Sequence, residues 1–292
     1  MTYRECYEQG CRTLQAVGIE EAALDARLLL EAVCGTDRND LLVHGEQPVA
    51  PEAEEKYLNW IRQRAEHIPL QQLTGEQGFM GLTFSVNGHV LIPRQDTEIL
   101  VEEVLKELHD GMRVLDMCTG SGCILLSLLH YSNDCEGLGV DLSAEALEVA
   151  GRNVLKVLTP EKAEHAHFLQ SDLFEKVEGK FEIIVSNPPY IASAEVEKLM
   201  PEVRDHEPRM ALDGTEDGLY FYRRIIEEAG KHLVSSGMLF FEIGYDQGQA
   251  VSELMRTEGY CDVQVVQDYA GLDRVVFGTY VTVQPAPFAK SR

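Results

Sequence analysis

No apolar stretch of the 292-residue chain approaches the roughly 18–20 residues that a membrane-crossing helix needs. Met1 to Gly10 is polar and carries no apolar signal core. A cytoplasmic location without a membrane partner is therefore expected. Cysteine is present but unorganised: seven residues, an odd number, with no CxxC pair and no Cys/His cluster at zinc spacing. That excludes a disulfide framework and a zinc finger, and it fits reduced, mostly buried thiols. The nine histidines show no motif spacing, and no metal is expected. Positive charge is scarce, with Lys and Arg at 25 against Asp and Glu at 49, a net charge of −24. No basic run exceeds the pair Arg223-Arg224. Proteins that grip nucleic acid neutralise phosphates with basic side chains, so direct nucleic-acid binding is not expected. The acidity serves solubility and is compatible with a cationic cofactor or a basic protein partner. Repeats and low-complexity segments are absent too.

What is present is organised in three parts. Residues 1–75 read as a small helical domain: Tyr7, Cys11 and Leu14 recur at helical spacing, and Ala22–Val33 and Ala53–Ala65 are further helix candidates. Residues 76–92 read as a β-hairpin linker, with Leu82–Val86 alternating and Asn87-Gly88 as the turn. From residue 93 to 292 strands and helices alternate. Asp96 is the expected cap of a helix from Thr97 to about Leu108. Seven strands are expected, at Arg113–Asp116, Leu138–Asp141, Ala166–Leu169, Phe181–Ser186, Met238–Ile243, Val263–Gln267 and Arg274–Tyr280, the last two as an antiparallel pair. Helices are expected within Gly120–Tyr131, at Ala144–Leu158 and at Gly218–Leu233. This alternation predicts an α/β fold with a doubly wound, mostly parallel sheet, which binds ligands at the carboxyl ends of its strands where the strand order reverses.

The run from Val114 to Gly122 follows the first buried strand and opens a helix. Small residues at 119–122 let the backbone approach a ligand. Asp116 ends that strand, Asp141 ends the next one 19 residues after Gly122, and Asp172 follows the third. Acidic strand tips suit a nucleoside: Asp141 can accept from both ribose hydroxyls, while Asp172 can meet an adenine amino group with Leu173 against the base. A dinucleotide fingerprint needs GxGxxG, but the position after Gly120-Ser121-Gly122-Cys123-Ile124 is Leu125. An adenosyl cofactor without phosphates is favoured.

Asn187-Pro188-Pro189-Tyr190 stands directly after the strand Phe181–Ser186. An amide or aromatic amine nitrogen is a poor nucleophile because its lone pair is delocalised. It attacks a sulfonium methyl only if held in line with its hydrogens drawn elsewhere. The Asn187 side-chain oxygen and the Pro188 carbonyl can accept those N–H bonds. The prolines fix φ and offer no competing N–H. Tyr190 presents a flat face. No general base is needed before the methyl moves, so positioning and electrostatics carry the rate.

These residues resemble the amino-methyltransferases of adenine, cytosine and glutamine nitrogens. Leu73-Thr74-Gly75, Leu91–Glu98, Asp116–Gly122, Ala211–Gly214, Asp217-Gly218-Leu219 and Phe241–Gly244 narrow the resemblance to the HemK/PrmC protein-glutamine methyltransferases, over nearly the whole chain. The resemblance implies a class I, Rossmann-like methyltransferase domain with S-adenosyl-L-methionine as cofactor. The implied substrate is the side-chain amide (N5) of the glutamine in the Gly-Gly-Gln motif of class I peptide chain release factors, and the implied outcome is modulated translation termination. Carried onto this chain, Cys118, Thr119, Gly120, Ser121, Gly122, Asp141 with Leu142, Asp172 with Leu173, and Asn187 would contact the cofactor. Asn187, Pro188, Pro189 and Tyr190 would hold the glutamine, with Arg94 at the pocket mouth. Asp96, Glu98 and Glu242 are equally readable as substrate contacts or as structural acids. Many members carry glycine at Cys118, tryptophan at Leu173 and proline at Gln95. A monomer is expected, with the N-terminal helices recognising the protein substrate. Two other readings stay open: an adenine N6-methyltransferase acting on DNA or RNA, which would need a basic cleft for a flipped base, and a module that keeps the fold without activity.

Overall fold

The structure, a computed structural model, describes residues 1–281. It forms two compact units: Met1–Glu76 with Val86–Gly88 and Leu199–Glu207, and Gln77–Ser85 with His89–Lys198 and the remainder from Pro208.

The first unit is helical: α1 (Tyr3–Ala16), α2 (Ala22–Cys34), α3 (Arg38–His44), α4 (Pro51–Ala65) and α5 (Leu70–Thr74), joined by the later helix α11 (Pro201–His206). Thr2 and Glu5 close α1 with reciprocal side-chain-to-backbone hydrogen bonds, a capping box. The buried stripe of α1 is Cys6, Gly10 and Leu14, with Tyr7 and Cys11 only partly buried beside it. Leu14 is common to the expected spacing and the buried stripe, which also takes in Gly10, where a side chain would collide with the Tyr57 hydroxyl of α4. Arg64, 7% exposed, donates to Asp25 at 2.7 Å and to Glu202 of α11 at 3.1 Å. Glu202 also meets His67 at 3.1 Å. Removing one partner of such a buried pair typically costs about 3–5 kcal/mol.

The second unit begins with the hairpin β1 (Glu76–Phe79) and β2 (Leu82–Ser85). Its turn is Met80-Gly81, not Asn87-Gly88. Both central residues have positive φ (51° and 71°), the requirement of a two-residue hairpin loop, and Gly81 meets it without strain. There follow α6 (Gln95–Glu107), β3 (Arg113–Met117), α7 (Cys123–Tyr131), β4 (Glu136–Asp141), α8 (Ala144–Val157), α9 (Pro160–Ala163), β5 (Ala166–Gln170) and β6 (Phe181–Ser186). Then come α10 (Ser193–Val196), a 3-10 turn (Arg209–Ala211), α12 (Tyr220–Ala229), β7 (Leu233–Glu242), α13 (Gly248–Thr257), β8 (Tyr260–Gln267) and β9 (Asp273–Tyr280). Asp96 is not the cap of α6. The helix starts two residues earlier than expected, at Gln95 after Arg94, and Asp96 lies in its first turn facing Arg274 at 3.2 Å. The expected helix to Leu233 ends at Ala229, and Leu233 opens β7 because it pairs with Phe181 of β6.

The seven-stranded sheet has the order β5-β4-β3-β6-β7-β9-β8, parallel except for β9 against β7 and β8. Alternate residues of each strand feed different cores: Val114, Ile183 and Val185 join one face with α6 and α7, whereas Leu115, Met117 and Ile184 join the other with α12 and α13. The chain leaves β3 toward β4 on one side and later returns as β6 on the other. The strand order therefore reverses between β3 and β6. Met117 is level with Ser186, so Cys118 and Asn187 emerge side by side at the switch point.

Candidate active site

Asp116, fully buried, accepts from the Thr119 hydroxyl at 2.6 Å and from the Leu125 N–H at 3.3 Å. It staples the loop from beneath, and burial pushes its carboxyl up to about 7. Above it the backbone is left-handed at Cys118 (φ 63°), Gly120 (55°) and Gly122 (78°). At Gly122 this conformation starts α7, where a Cβ would press on Ala150 at 3.2 Å. The Gly120 N–H donates to Asp141 Oδ2 and the Ser143 N–H to Oδ1, each at 2.9 Å. Asp141 is thereby locked at the end of β4, and burial raises its pKa.

The loop and Asp141 open onto a cleft of about 1040 Å³, a volume that includes the open space at its mouth. Cys118, Thr119, Gly120 and Ser121 form its floor, Asp141 and Leu142 one wall, and Asp172 and Leu173 the next. Asn187, Pro189 and Arg94 line it as well. Gly122, Pro188 and Tyr190 are not among its lining residues. Asp172 is half exposed and paired with Arg224 at 2.9 Å. Leu173 takes φ 47°, a left-handed conformation that is costly for leucine. The walls are mostly apolar, carboxylates stand at the strand tips, and the one permanently charged basic side chain in the lining is Arg94, which alone is not a phosphate cradle. This chemistry fits an adenosyl group without phosphates.

The loop after β6 is held by side chains on several elements. Asn187 Nδ2 donates to Thr97 of α6 at 3.4 Å, which turns Oδ1 the other way. The Tyr190 hydroxyl meets Glu242 Oε1, at the tip of β7, at 3.4 Å. Burial first, then the neighbouring Glu242 charge, pushes the phenol well above its usual range. Glu242 is 2% exposed, and its Oε2 has no hydrogen-bond partner. Burial raises its carboxyl to about 6, a shift opposed by the Thr97 hydroxyl and by Arg274. The Ala211–Gly214 and Asp217–Leu219 stretches back this loop. Ile191 exchanges backbone hydrogen bonds with Leu212 and Gly214. A Cβ at Gly214 would lie 2.8 Å from the Pro189 carbonyl oxygen, and one at Gly218 would collide with the Tyr190 carbonyl. Sequence reasoning found these stretches without their role. It missed Pro208, Met210 and Phe221, which also line the cleft and carry no motif.

A doubly wound seven-stranded sheet with an adenosyl-fitting cleft at its switch point defines a class I S-adenosylmethionine-dependent methyltransferase. Residues 5–75 match the PrmC N-terminal domain and residues 94–203 the methyltransferase small domain. A release factor glutamine methyltransferase from Moorella thermoacetica is 44% identical over 278 residues, 94% of this chain and 97% of that protein. One from Agrobacterium fabrum is 40% identical over 271 residues, 91% of this chain and 93% of that protein. A solved methyltransferase from Pyrococcus furiosus shares the fold, with a TM-score of 0.50 at 18% identity, covering 70% of this chain and 92% of that one. The chain belongs to the release factor glutamine methyltransferase family.

Proposed function

We propose that this enzyme transfers a methyl group from S-adenosyl-L-methionine to the N5 side-chain amide nitrogen of the glutamine in the Gly-Gly-Gln motif of class I peptide chain release factors, modulating translation termination. The observation that carries this reading is the emergence of Asn187–Tyr190 beside the Cys118–Gly122 loop at the one point where the sheet order reverses.

When bound, S-adenosylmethionine supplies an electrophilic methyl on a positively charged sulfur. Cys118–Gly122, Asp141, Leu142, Asp172, Leu173 and Asn187 would hold it. The acceptor amide nitrogen would form the new N–C bond as the bond between that methyl and sulfur breaks, leaving a neutral thioether, and its surplus N–H proton would pass to solvent. Asn187 Oδ1, facing away from Thr97, and the Pro188 carbonyl accept from the amide nitrogen and aim its lone pair. The Tyr190 ring supports the amide plane, and Arg94 orients the substrate at the mouth. With no charged side chain in Asn187–Tyr190, acceleration rests on alignment of the reacting atoms.

We assign recognition of the release factor to residues 1–75, because they form most of a separate helical unit. Residues 76–92 serve as the hairpin linker and residues 93–292 as the methyltransferase domain. The enzyme acts as a cytoplasmic monomer without direct nucleic-acid contact. Among the described residues no helix is long and apolar enough to cross a membrane.

The test is transfer of labelled methyl from S-adenosylmethionine to an unmethylated class I release factor. Its Gln→Ala variant at Gly-Gly-Gln and unmethylated DNA run alongside. Label on the wild-type factor alone is the expected result. Label on DNA would move the assignment to adenine, and no label anywhere would favour an inactive module.

A further inference from the structure

Gln247 stands at the N-cap position of α13, yet its side chain does not cap that helix. It turns instead toward the loop after β6. Its Nε2 donates to the Tyr190 carbonyl at 3.0 Å and to the Gly218 carbonyl at 3.3 Å. Its Oε1 accepts from the Gly244 N–H at 3.0 Å and lies 3.4 Å from the Tyr222 hydroxyl oxygen. A primary amide has two N–H donors, and here both are used, while Oε1 takes its full bond from the Gly244 N–H because the single Tyr222 hydrogen goes to the Glu242 carbonyl at 2.8 Å. The bond to Tyr190 is shorter than the 3.4 Å contacts that the Asn187 and Tyr190 side chains make to Thr97 and Glu242. The fit is close from the other side as well: a Cβ at Gly218 would lie 2.8 Å from Gln247 Nε2.

We propose that Gln247 is a positioning residue for methyl transfer, whose amide fixes the Tyr190 carbonyl and with it the path of the backbone from Asn187 to Tyr190. The inference rests on the reading of Asn187–Tyr190 as the segment that holds the acceptor amide. Gln247 is not among the residues that line the cleft. It acts through the loop, joining the end of that segment to the Asp217–Leu219 turn and the Gly244 backbone. A displacement of about 1 Å between reacting groups can cost about a hundredfold in rate, so a clamp on this carbonyl bears on turnover more than on binding.

The test compares Gln247→Glu, which keeps the shape and the acceptors but removes the amide donors, with Gln247→Met, which removes both. Asn187→Ala and Tyr222→Phe are controls. Tyr222→Phe deletes a buried hydroxyl that lies beside the same Oε1 and donates to the Glu242 carbonyl (2.8 Å) while sparing the Tyr190 carbonyl. The readouts are kcat and KM for the release factor, cofactor Kd by equilibrium dialysis, and melting temperature. Both Gln247 variants are expected to lose about ten- to a hundredfold in kcat with cofactor Kd unchanged, while Tyr222→Phe loses stability and keeps kcat. Wild-type kcat in folded Gln247→Glu would overturn the proposal, as would a kcat loss that Tyr222→Phe reproduces in proportion to its lower melting temperature. A wild-type enzyme that methylates no release factor would instead refute the underlying function, and an active Asn187→Ala would refute the role of the segment.

Discussion

Glu242 is a carboxyl at the tip of a central strand with one oxygen that finds no partner. Burial raises its pKa from the usual 4.5 to about 6, so the folded state prefers the protonated form. The cost of ionisation is absent below the unfolded value, grows as pH rises through that interval, and is complete above it. A shift of that size corresponds to about 2 kcal/mol. Glu242→Gln is therefore expected to raise the unfolding free energy by about 2 kcal/mol at about pH 8, the gain fading toward about pH 4.5. Denaturant unfolding at the two pH values checks this, and an equal gain at both would mean that ionisation is not the cause. Asn187 is the other decisive residue. Asn187→Ala should lower kcat by about 10²–10³-fold, as loss of a preorganised polar group at a reacting centre does, with a modest change in cofactor affinity by dialysis. An unchanged kcat would remove Asn187 from the chemistry. The Asn187 position was legible because it follows the strongly hydrophobic strand Phe181–Ser186, and Asp141 because an acid closes a short strand one βα unit after the glycine-containing loop. Gln247 was not, because a single glutamine in a loop carries no periodicity. Two residues that depart from the family pattern find physical meaning here. Cys118 holds a left-handed φ that glycine adopts without strain, and Gln95 is the first residue of α6, where proline is at home.

The hairpin and α8 meet at the fully buried side chain of Asn153, with Lys156 of α8 also donating to the Ser85 hydroxyl at 3.3 Å. Asn153 donates to the Ser85 carbonyl at 3.1 Å and to the Ser121 carbonyl of the cofactor loop at 2.9 Å, and it accepts from the Ser85 N–H at 2.7 Å. Asn153→Ala would leave three backbone groups without this partner. The expected loss is about 2–4 kcal/mol, given about 1–3 kcal/mol for each buried group left unsatisfied and partial relaxation, together with weaker cofactor binding. Urea unfolding and a binding titration measure both. If the stability falls while cofactor affinity stays intact, the bond to Ser121 does not shape the loop. At this scale the strands read well from sequence, since β6 (Phe181–Ser186) is a hydrophobic run with the expected bounds. Elements whose identity comes from pairing read poorly. The first half of β7 includes Ser235, Ser236 and Gly237, polar or small residues that look like a turn, and only the Phe181–Leu233 pairing makes it strand. Helix α13, with a glycine at its start and no side-chain cap, gave no start signal.

For the whole molecule, a net charge of −24 sets the field that an approaching partner meets. The enzyme is expected to pass unretained over a heparin column at low salt. Retention released by moderate salt would reveal a basic face and reopen the nucleic-acid reading. The division into a helical part and an α/β part could be read from the change of pattern near residue 75. The return of Leu199–Glu207 to the helical unit could not, because one short helix in a long insertion resembles any surface turn. That return has a consequence for how the protein is made. The nascent chain leaves the ribosome amino end first, and domains tend to fold as they emerge. Here Arg64 must wait for Glu202, a partner 138 residues downstream. The helical unit, first to be synthesised, completes its own ion network only after β6 and the Asn187–Tyr190 segment have been translated.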